Sequence, residues 1–431
     1  MDKLREIGQY ILAEIGKRDA TGSCSVGQIK KSEIYYESGK ISMVRTVFSE
    51  SIGIKVLLGK QKGTISLNRF DKESIDRAVD EAIAAAKEAK HDEAEGLSEV
   101  VDNRHFEYGV LEADLDRMYD RFAEYLEDSR REYPLISYDS AGIEHNLEEG
   151  IYMNTNGVEL SEKNGSYAFS AMFMAVDGDN VSSFNFFGDE LADLDKPLLE
   201  IPDARRNLEE TERQVRTEQF NGKFVGDIIL PPRMFNELLY YAVMLFTSDS
   251  SLINKTSIWK DKLGEKVVSD KLTLRIEPTN EALIGRAPVT GDGYPARDFT
   301  LIDKGVLKSF MLSRYAAAKT GNDRAPGDNL NCVVEVGDTS LEAMIRGVDK
   351  GIVMNRFSGG SPSPDGNIAG IAKNSFMVRD GEVAEPLSEV MVSFNIAEAL
   401  NNIKFIGEER FTYSDSILPW AVIENVTISG K

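Results

Sequence analysis

The sequence predicts an α+β protein: an antiparallel sheet with helices at the front, followed by a β-rich C-terminal domain. Three observations lead there. Apolar residues recur at helical spacing in stretches near the N-terminus. Runs with two-residue alternation lie between and after those stretches. Turn pairs rich in Gly, such as Asn156-Gly157 and Asp380-Gly381, punctuate the alternating runs as hairpins do.

Taken in order, Leu4, Ile7, Ile11, Leu12 and Ile15 mark an amphipathic first helix. Gln28 to Ser66 then alternates apolar and polar residues, with turn signals at Glu37-Ser38-Gly39 and at Gly59 to Gly63, and reads as three antiparallel strands. Asp71 is placed to cap a helix whose stripe is Ile75, Ala78, Val79, Ala82, Ile83 and Ala86. These elements make a first domain over 1–95, with the polar segment Lys90 to Ser98 as its exit.

A central domain over 96–222 follows. Its helix, Glu112 to Arg131, turns Leu115, Met118, Tyr119, Phe122 and Leu126 inward, and Asn156-Gly157 joins Ile151–Thr155 to Val158–Ser161. Tyr167, Phe169, Ala171 and Phe173 alternate along the next strand, and the charged run Ala204 to Glu218 reads as a solvated helix. The β-rich third domain, 223–431, opens near Phe224. It has a three-residue hairpin loop at Asp303-Lys304-Gly305, a second strand from Val306 to Phe310, and a helix around Ser313 to Lys319. Thr339 and Glu342 read as a capping box. The segment Phe357 to Gly366 is the most flexible by composition. It lacks the Lys-Ser/Thr ending of a P-loop and the strand-to-helix setting of a dinucleotide site.

Composition narrows the function. A chain of 431 residues, 42% hydrophobic and 28% charged, has room for two or three cores. A net charge of −22 opposes direct contact with nucleic acid or anionic membranes. No segment reaches the roughly 18 apolar residues of a membrane-spanning helix, and the first residues lack a signal-peptide core, so a cytoplasmic location is expected. The two cysteines, Cys24 and Cys332, lie far apart and read as reduced thiols.

Four ordered segments carry more specific information: TGDGYPARDFTLIDKGVLKSFMLSRYAAAKTG (Thr290 to Gly321), VEVGDTSLE (Val334 to Glu342), RFSGG (Arg356 to Gly360) and SFMVRDGEVAEPL (Ser375 to Leu387). Together they resemble the TldD/PmbA family, once described as modulators of DNA gyrase and understood as a two-subunit zinc metallopeptidase. The resemblance is strongest from about residue 220 onward. It continues more weakly at the front, in SESIGIKVLLGKQKGTIS (Ser49 to Ser66).

The resemblance implies that catalytic members carry H-E-x-x-x-H on a helix before the Gly/Pro turn. Such a site needs neutral imidazoles for the metal and a carboxylate for the attacking water. Counting back from Gly264-Glu265 places Tyr240, Tyr241 and Leu245 at the His, Glu and His positions. Leu cannot bind a metal, and a phenol with a pKa of about 10 is a poor zinc ligand at neutral pH. Glu237 reads as a carboxylate on the wet side of a helix end. The run Leu238 to Phe246 predicts a helix buried on most sides, so that Tyr240→Ala would destabilise the fold. His91, His105 and His145 have no metal-ligand spacing; His91 sits in a solvated charged run, the other two near strand or loop edges. The catalytic subunit's cysteine near the C-terminus has no counterpart in Phe411 to Trp420.

No catalytic residue, metal or cofactor is therefore assigned to this chain. The resemblance implies a PmbA/TldE-type subunit that pairs with a zinc-bearing TldD-type subunit and helps enclose unfolded or short peptides, with zinc on the partner. An extended peptide would add a strand to an exposed sheet edge. Nucleic acid and membrane are not expected partners, and the isolated chain is left open between monomer and homodimer. A stand-alone protein-binding or regulatory role, gyrase-modulator-like on a retired peptidase fold, is the alternative. Restoring Tyr240→His, Tyr241→Glu and Leu245→His together is expected to leave the chain inactive, because the third ligand and its supporting residues are also missing. Chelator-sensitive peptide cleavage by the triple variant would count against that account.

Overall fold

The computed structural model describes residues 1–37, 39–100 and 102–430. Ser38 of the first expected turn lies outside them. Helix α1 (Asp2–Gly16) is followed by three antiparallel strands, β1 (Thr21–Glu37), β2 (Lys40–Leu58) and β3 (Gln61–Leu67), and by α2 (Lys72–Glu88). Asp71 caps α2 through Ser74 N. Then come β4 (Arg104–Gly109), α3 (Leu115–Glu132), β5 (Ile136–Asn154), β6 (Glu159–Asp177), β7 (Asn180–Val181), β8 (Asn185–Leu191) and α4 (Ala204–Arg213). Eight strands form one sheet in the order β3-β2-β1-β5-β6-β4, with β7 and β8 also on β6. β1 pairs with β5 from Ser23↔Asn154 to Glu37↔Ser140, so a single sheet crosses the boundary expected at residue 95.

One face of this sheet is covered by helices. Cys24, Val26, Ile34 and Tyr36 on β1 alternate inward with Ala141, Ile143, Ile151 and Met153 on β5. α1 and α2 cover one end, α3 and α4 the other. Met118, Phe122, Tyr125 and Leu126 bury the inner face of α3, whereas Leu115 and Tyr119, expected inside, are exposed. They fall on the far side of a helix that starts three residues later than predicted and is capped by Asp114. The expected solvated helix at 204–218 is shorter and half-buried: Ala204, Asn207, Leu208 and Thr211 pack inward because β8 lies against it.

The remaining chain is built on two sheets. β9 (Lys223–Leu230), α5 (Pro232–Phe246) and α6 (Asp249–Ile253) are followed by β10 (Leu274–Ile276), β11 (Phe299–Asp303), β12 (Val306–Leu307), α7 (Arg314–Thr320), β13 (Cys332–Val334) and α8 (Leu341–Arg346). After them run β14 (Lys350–Val353), β15 (Arg356–Gly359), β16 (Asn367–Lys373), β17 (Phe376–Arg379), β18 (Glu382–Pro386), β19 (Val390–Asn395), α9 (Ile396–Asn401), β20 (Ile403–Ile406), β21 (Phe411–Thr412), β22 (Ile417–Leu418) and β23 (Ala421–Ser429). The larger sheet is ordered β15-β16-β19-β23-β9-β14-β17-β18 and the smaller β12-β11-β10-β13-β22-β21. Ile228, Phe235, Leu274, Leu301, Val392 and Ile423 meet in the core that holds α5.

Local chemistry explains the departures from expectation. The loop at Lys304-Gly305 has two residues rather than three: Asp303 pairs with Val306, and both loop residues have positive φ, 46° and 79°. The strand after it stops at Leu307. Asp380-Gly381 forms the same kind of turn. Ser340, not Thr339, caps α8, through Ala343 N, while Glu342 pairs with Arg346 one turn on. The segment expected to be most flexible begins as strand β15, and Ser363 N bonds Asn367 O at 2.9 Å to close a turn after it.

Gly63 shows how closely α2 sits on β3. A Cβ there would lie 1.9 Å from Ala82 O and 2.7 Å from Ala86 N. Gly63→Ala is expected to cost about 1–3 kcal/mol by forcing the helix off the sheet, read as a lower midpoint of the first urea transition.

Candidate functional site

Pro232 occupies the first turn of α5, where its fixed φ suits the helix and no amide donor is missed. Met234, Phe235, Leu238, Leu239, Ala242, Val243 and Phe246 are buried. The other face carries Glu237, Tyr240, Tyr241, Met244 and Leu245 at helical spacing, so Tyr240, Tyr241 and Leu245 share one stripe. That stripe is not core. Tyr240 is 49% and Met244 43% exposed, and Tyr241 and Leu245 are half-buried. The expectation of a helix buried on most sides is corrected for a simple reason: the core takes one face of α5, and of the apolar residues opposite Tyr241 and Leu245 are only partly covered and Tyr240 and Met244 are exposed.

At the end of α5, Thr247 Oγ1 donates to Val243 O at 2.8 Å and Ser248 Oγ to Met244 O at 2.6 Å. Ser248 also caps α6 through Ser251 N, so the chain turns sharply there. The stretch Phe411 to Trp420 lies beside the start of α5. The Arg233 guanidinium stands 4.3 Å from the ring centre of Tyr413, whose hydroxyl donates to Asp203 Oδ2 at 2.7 Å.

Glu237 is half-buried, not on the wet side of the helix. It lines an apolar recess with Leu238 and Tyr241 of α5, Phe357 of β15, Ile368 of β16 and Phe394 of β19. Burial raises the Glu237 carboxyl above the ordinary carboxylate range, and the neighbouring Tyr241 hydroxyl offsets part of that rise. Burial likewise raises the Tyr241 phenol, with the Glu237 charge adding to it. The Phe357 ring lies over two glycines: a Cβ on either Gly359 or Gly370 would meet it at 2.5 Å.

The histidines are engaged separately. His91 is exposed and meets Glu93 at 2.8 Å. His105 is exposed on β4, with Nδ1 2.9 Å from Ser161 Oγ. His145 is 2% exposed in the middle of β5, not near an edge, with Nε2 2.7 Å from Val110 O. Burial holds its imidazole below the ordinary value, against the pull of the Val110 carbonyl. Burial also pushes the Cys24 and Cys332 thiols up to about 12. Among the described residues no three or more His, Cys, Asp or Glu side chains are placed to hold a metal.

A second hollow escaped the sequence reading. A cleft of about 440 Å³ lies between the helix-free face of the first sheet and residues 284–287. Glu148, Glu162 and Glu190 line it. Burial and nearby carboxylates raise the Glu190 carboxyl, and burial with the Glu162 charge raises that of Glu148. The Tyr108 hydroxyl donates to Glu162 and to Arg286 O, the latter at 3.0 Å. The only sequence signal was Glu148-Glu149 interrupting the alternation of a strand.

Comparison with known proteins places these features in context. The family model for the PmbA/TldA metallopeptidase C-terminal domain matches residues 222–430, and that for domain 1 of the same metallopeptidases matches 24–86. The two together span more than half of the chain. It is 20% identical to the metalloprotease PmbA homologue of Haemophilus influenzae, over all of this chain and 96% of that one. It is 30% identical to a metalloprotease of Methanothermobacter thermautotrophicus over 201 residues, 44% of each chain. In fold it is similar to TldE from Thermococcus kodakarensis, with a TM-score of 0.85 at 22% identity, covering 98% of this chain and 100% of that one. A protein from Thermotoga maritima described as a candidate modulator of a DNA gyrase superposes with a TM-score of 0.81 at 17% identity, over 99% and 100%.

Two outcomes follow from this geometry. Tyr240→Ala is expected to change stability by no more than about 1 kcal/mol, whereas Phe235→Ala, fully buried on the same helix, should cost about 3–5 kcal/mol; urea midpoints distinguish them. For His145 the folded value lies below the unfolded one, so the unfolded chain takes up the proton first as pH falls. The contribution of His145 is therefore complete above its unfolded value of about 6.5 and is lost as pH drops through and below it. The melting temperature should fall between pH 7.5 and pH 5.5 by more in the wild type than in His145→Gln.

Proposed function

The chain belongs to the PmbA/TldD metallopeptidase family, and on that premise we propose that it is a non-catalytic PmbA/TldE-type subunit of a two-subunit zinc peptidase. The observation that carries this reading is the outer stripe of α5. Tyr240, Tyr241 and Leu245, which the resemblance equates with the family's metal and base positions, lie together on it and offer neither imidazole nor carboxylate. No step of hydrolysis is assigned to this chain. Zinc, if it acts, acts on a TldD-type partner, as a Lewis acid that also lowers the pKa of its bound water.

The role left to this chain is to complete the enclosure and hold extended peptide through its backbone. β15 is the edge best suited to that. Among the described residues it is an end strand of its sheet and pairs with β16 alone, and Ser358 and Gly359 are exposed along it. It also borders the recess beside α5. An unpaired strand edge offers amides and carbonyls that bind any sequence in extended form. A second reading, a protein-binding regulator, is favoured by the likeness to the Thermotoga maritima protein; the net charge of −22 still opposes contact with DNA itself.

Native mass spectrometry with metal analysis on the tagged chain, taken from its own cells, tests the proposal. An equimolar complex with an H-E-x-x-x-H protein carrying zinc is the expected result. A metal-free homodimer without such a partner would sink the peptidase-subunit reading and leave the regulator.

A further inference from the structure

The cleft on the helix-free face of the first sheet does not end at residues 284–287. It continues beside 289–291 as a hollow of about 320 Å³, and the two share Gly27, Ser51, Gly150 and Glu162. The groove they form follows β5 from Asn146 to Tyr152. Its larger part alone, about 440 Å³, has the size of a ligand site.

Glycines that the fold does not need line this groove. Gly53 and Gly150 have no positive φ, and a Cβ on either would meet nothing within 4 Å. At Gly27 the closest neighbour would be the movable Ser51 hydroxyl, at 3.2 Å. Gly165 on β6 is different: its Cβ would stand 1.9 Å from Val110 O. A mid-strand glycine weakens a sheet, and one without a turn or packing duty marks where another chain comes close.

The polar groups beside those glycines are acceptors short of donors. Asn146 Oδ1 is buried and accepts no hydrogen bond among the described residues. Glu148 is exposed, and Glu162 and Glu190 are half-buried. Lys31, the cation that acts on Glu148, is already paired with Glu144 at 2.8 Å. The charges that act on Glu190 are carboxylates: Glu148, Asp189 and Asp415. Arg286 leans on the Tyr108 ring instead, 3.9 Å from its centre. A desolvated acceptor among uncompensated carboxylates favours a cation that brings its own donors.

We propose that this groove holds an extended peptide along β5, with a basic side chain set among Asn146, Glu148 and Glu190. The inference rests on the reading that this chain holds peptide, and it adds a second place of contact and a preferred chemistry. At about 3.3 Å per residue, Asn146 to Tyr152 spans roughly 20 Å, room for about six residues of extended chain. The apolar stem of a lysine can lie on the glycines while its ammonium reaches the acceptors. A bare metal ion does not fit, because among the described residues no three His, Cys, Asp or Glu side chains are placed to hold one.

The test uses the full chain and an N-acetylated octapeptide with one central lysine, labelled at its C-terminus, beside its twin carrying Nε-acetyl-lysine. Fluorescence anisotropy at physiological salt reads both. The lysine form should bind about tenfold more tightly, the scale of one charge-assisted hydrogen bond. Glu148→Gln with Glu190→Gln, at unchanged circular dichroism, should bring the two affinities together. Gly150→Val, which fills the groove without changing charge, should weaken both forms about tenfold without lowering the melting temperature. Equal binding of the twins by the wild type, or a preference that survives the double variant, overturns the inference while leaving peptide holding at β15 standing. Undiminished binding by Gly150→Val overturns it too, by showing that the lysine is drawn to the acidic surface at large. Failure of every peptide to bind removes the peptide-holding reading and this inference with it.

Discussion

The one-sided burial of α5 is the constraint on which the candidate site depends. Phe235, Leu239, Val243 and Phe246 are almost fully buried in the core between the two C-terminal sheets. Each such side chain contributes about 1.5–3 kcal/mol relative to exposure. That packing sets the rotation of the helix about its own axis. Once it is set, Tyr240 and Met244 have no choice but to face solvent, while Glu237 and Tyr241 turn towards the recess bordered by β15. The outward face of α5 is thus a consequence of core packing on the opposite face.

The first sheet is held to this core largely by polar contacts. Asp92 accepts from Tyr315 at 2.8 Å and pairs with Lys319 at 2.7 Å; Arg314 donates to Ala94 O at 2.8 Å, and Tyr294 to Glu99 at 2.9 Å. All four partners lie within Thr290 to Gly321, the segment most informative in the sequence. Its hairpin and helix therefore do more than build the smaller sheet. They receive the polar stretch after α2, which the sequence presents only as an exit from a domain. Gly293 is fitted to this junction: with φ at 84°, a Cβ there would meet the Tyr152 ring at 2.1 Å.

Particular residues show where sequence reasoning reached and where it stopped. Asp71, Asn156-Gly157 and the alternation through Tyr167, Phe169, Ala171 and Phe173 were legible because each is a local device, a cap, a turn or a pleat, whose partners lie a few residues away. Tyr240, Tyr241 and Leu245 could be singled out in the sequence because a motif is a spacing, and a spacing is read without the fold. The recess was not. Its walls come from residues near 228, 237, 357, 368 and 394, and no local pattern records that these converge. Glu237 was misread for the same reason: its helix alone does not reveal that Phe357 and Phe394 stand beside it.

By itself the sequence determined the family, most of the kinds of element and their order, and several of the caps and turns that start and stop them. Those are properties of residue type and near spacing. The tertiary structure alone decided which face of α5 is wet, that one sheet unites residues 21–191, that β15 is an edge, and that Glu237 lines an apolar recess beside it. The physical reason is that burial and edge exposure are set by which distant segments pack together, and the free energy of that packing is not written in any one stretch of the chain.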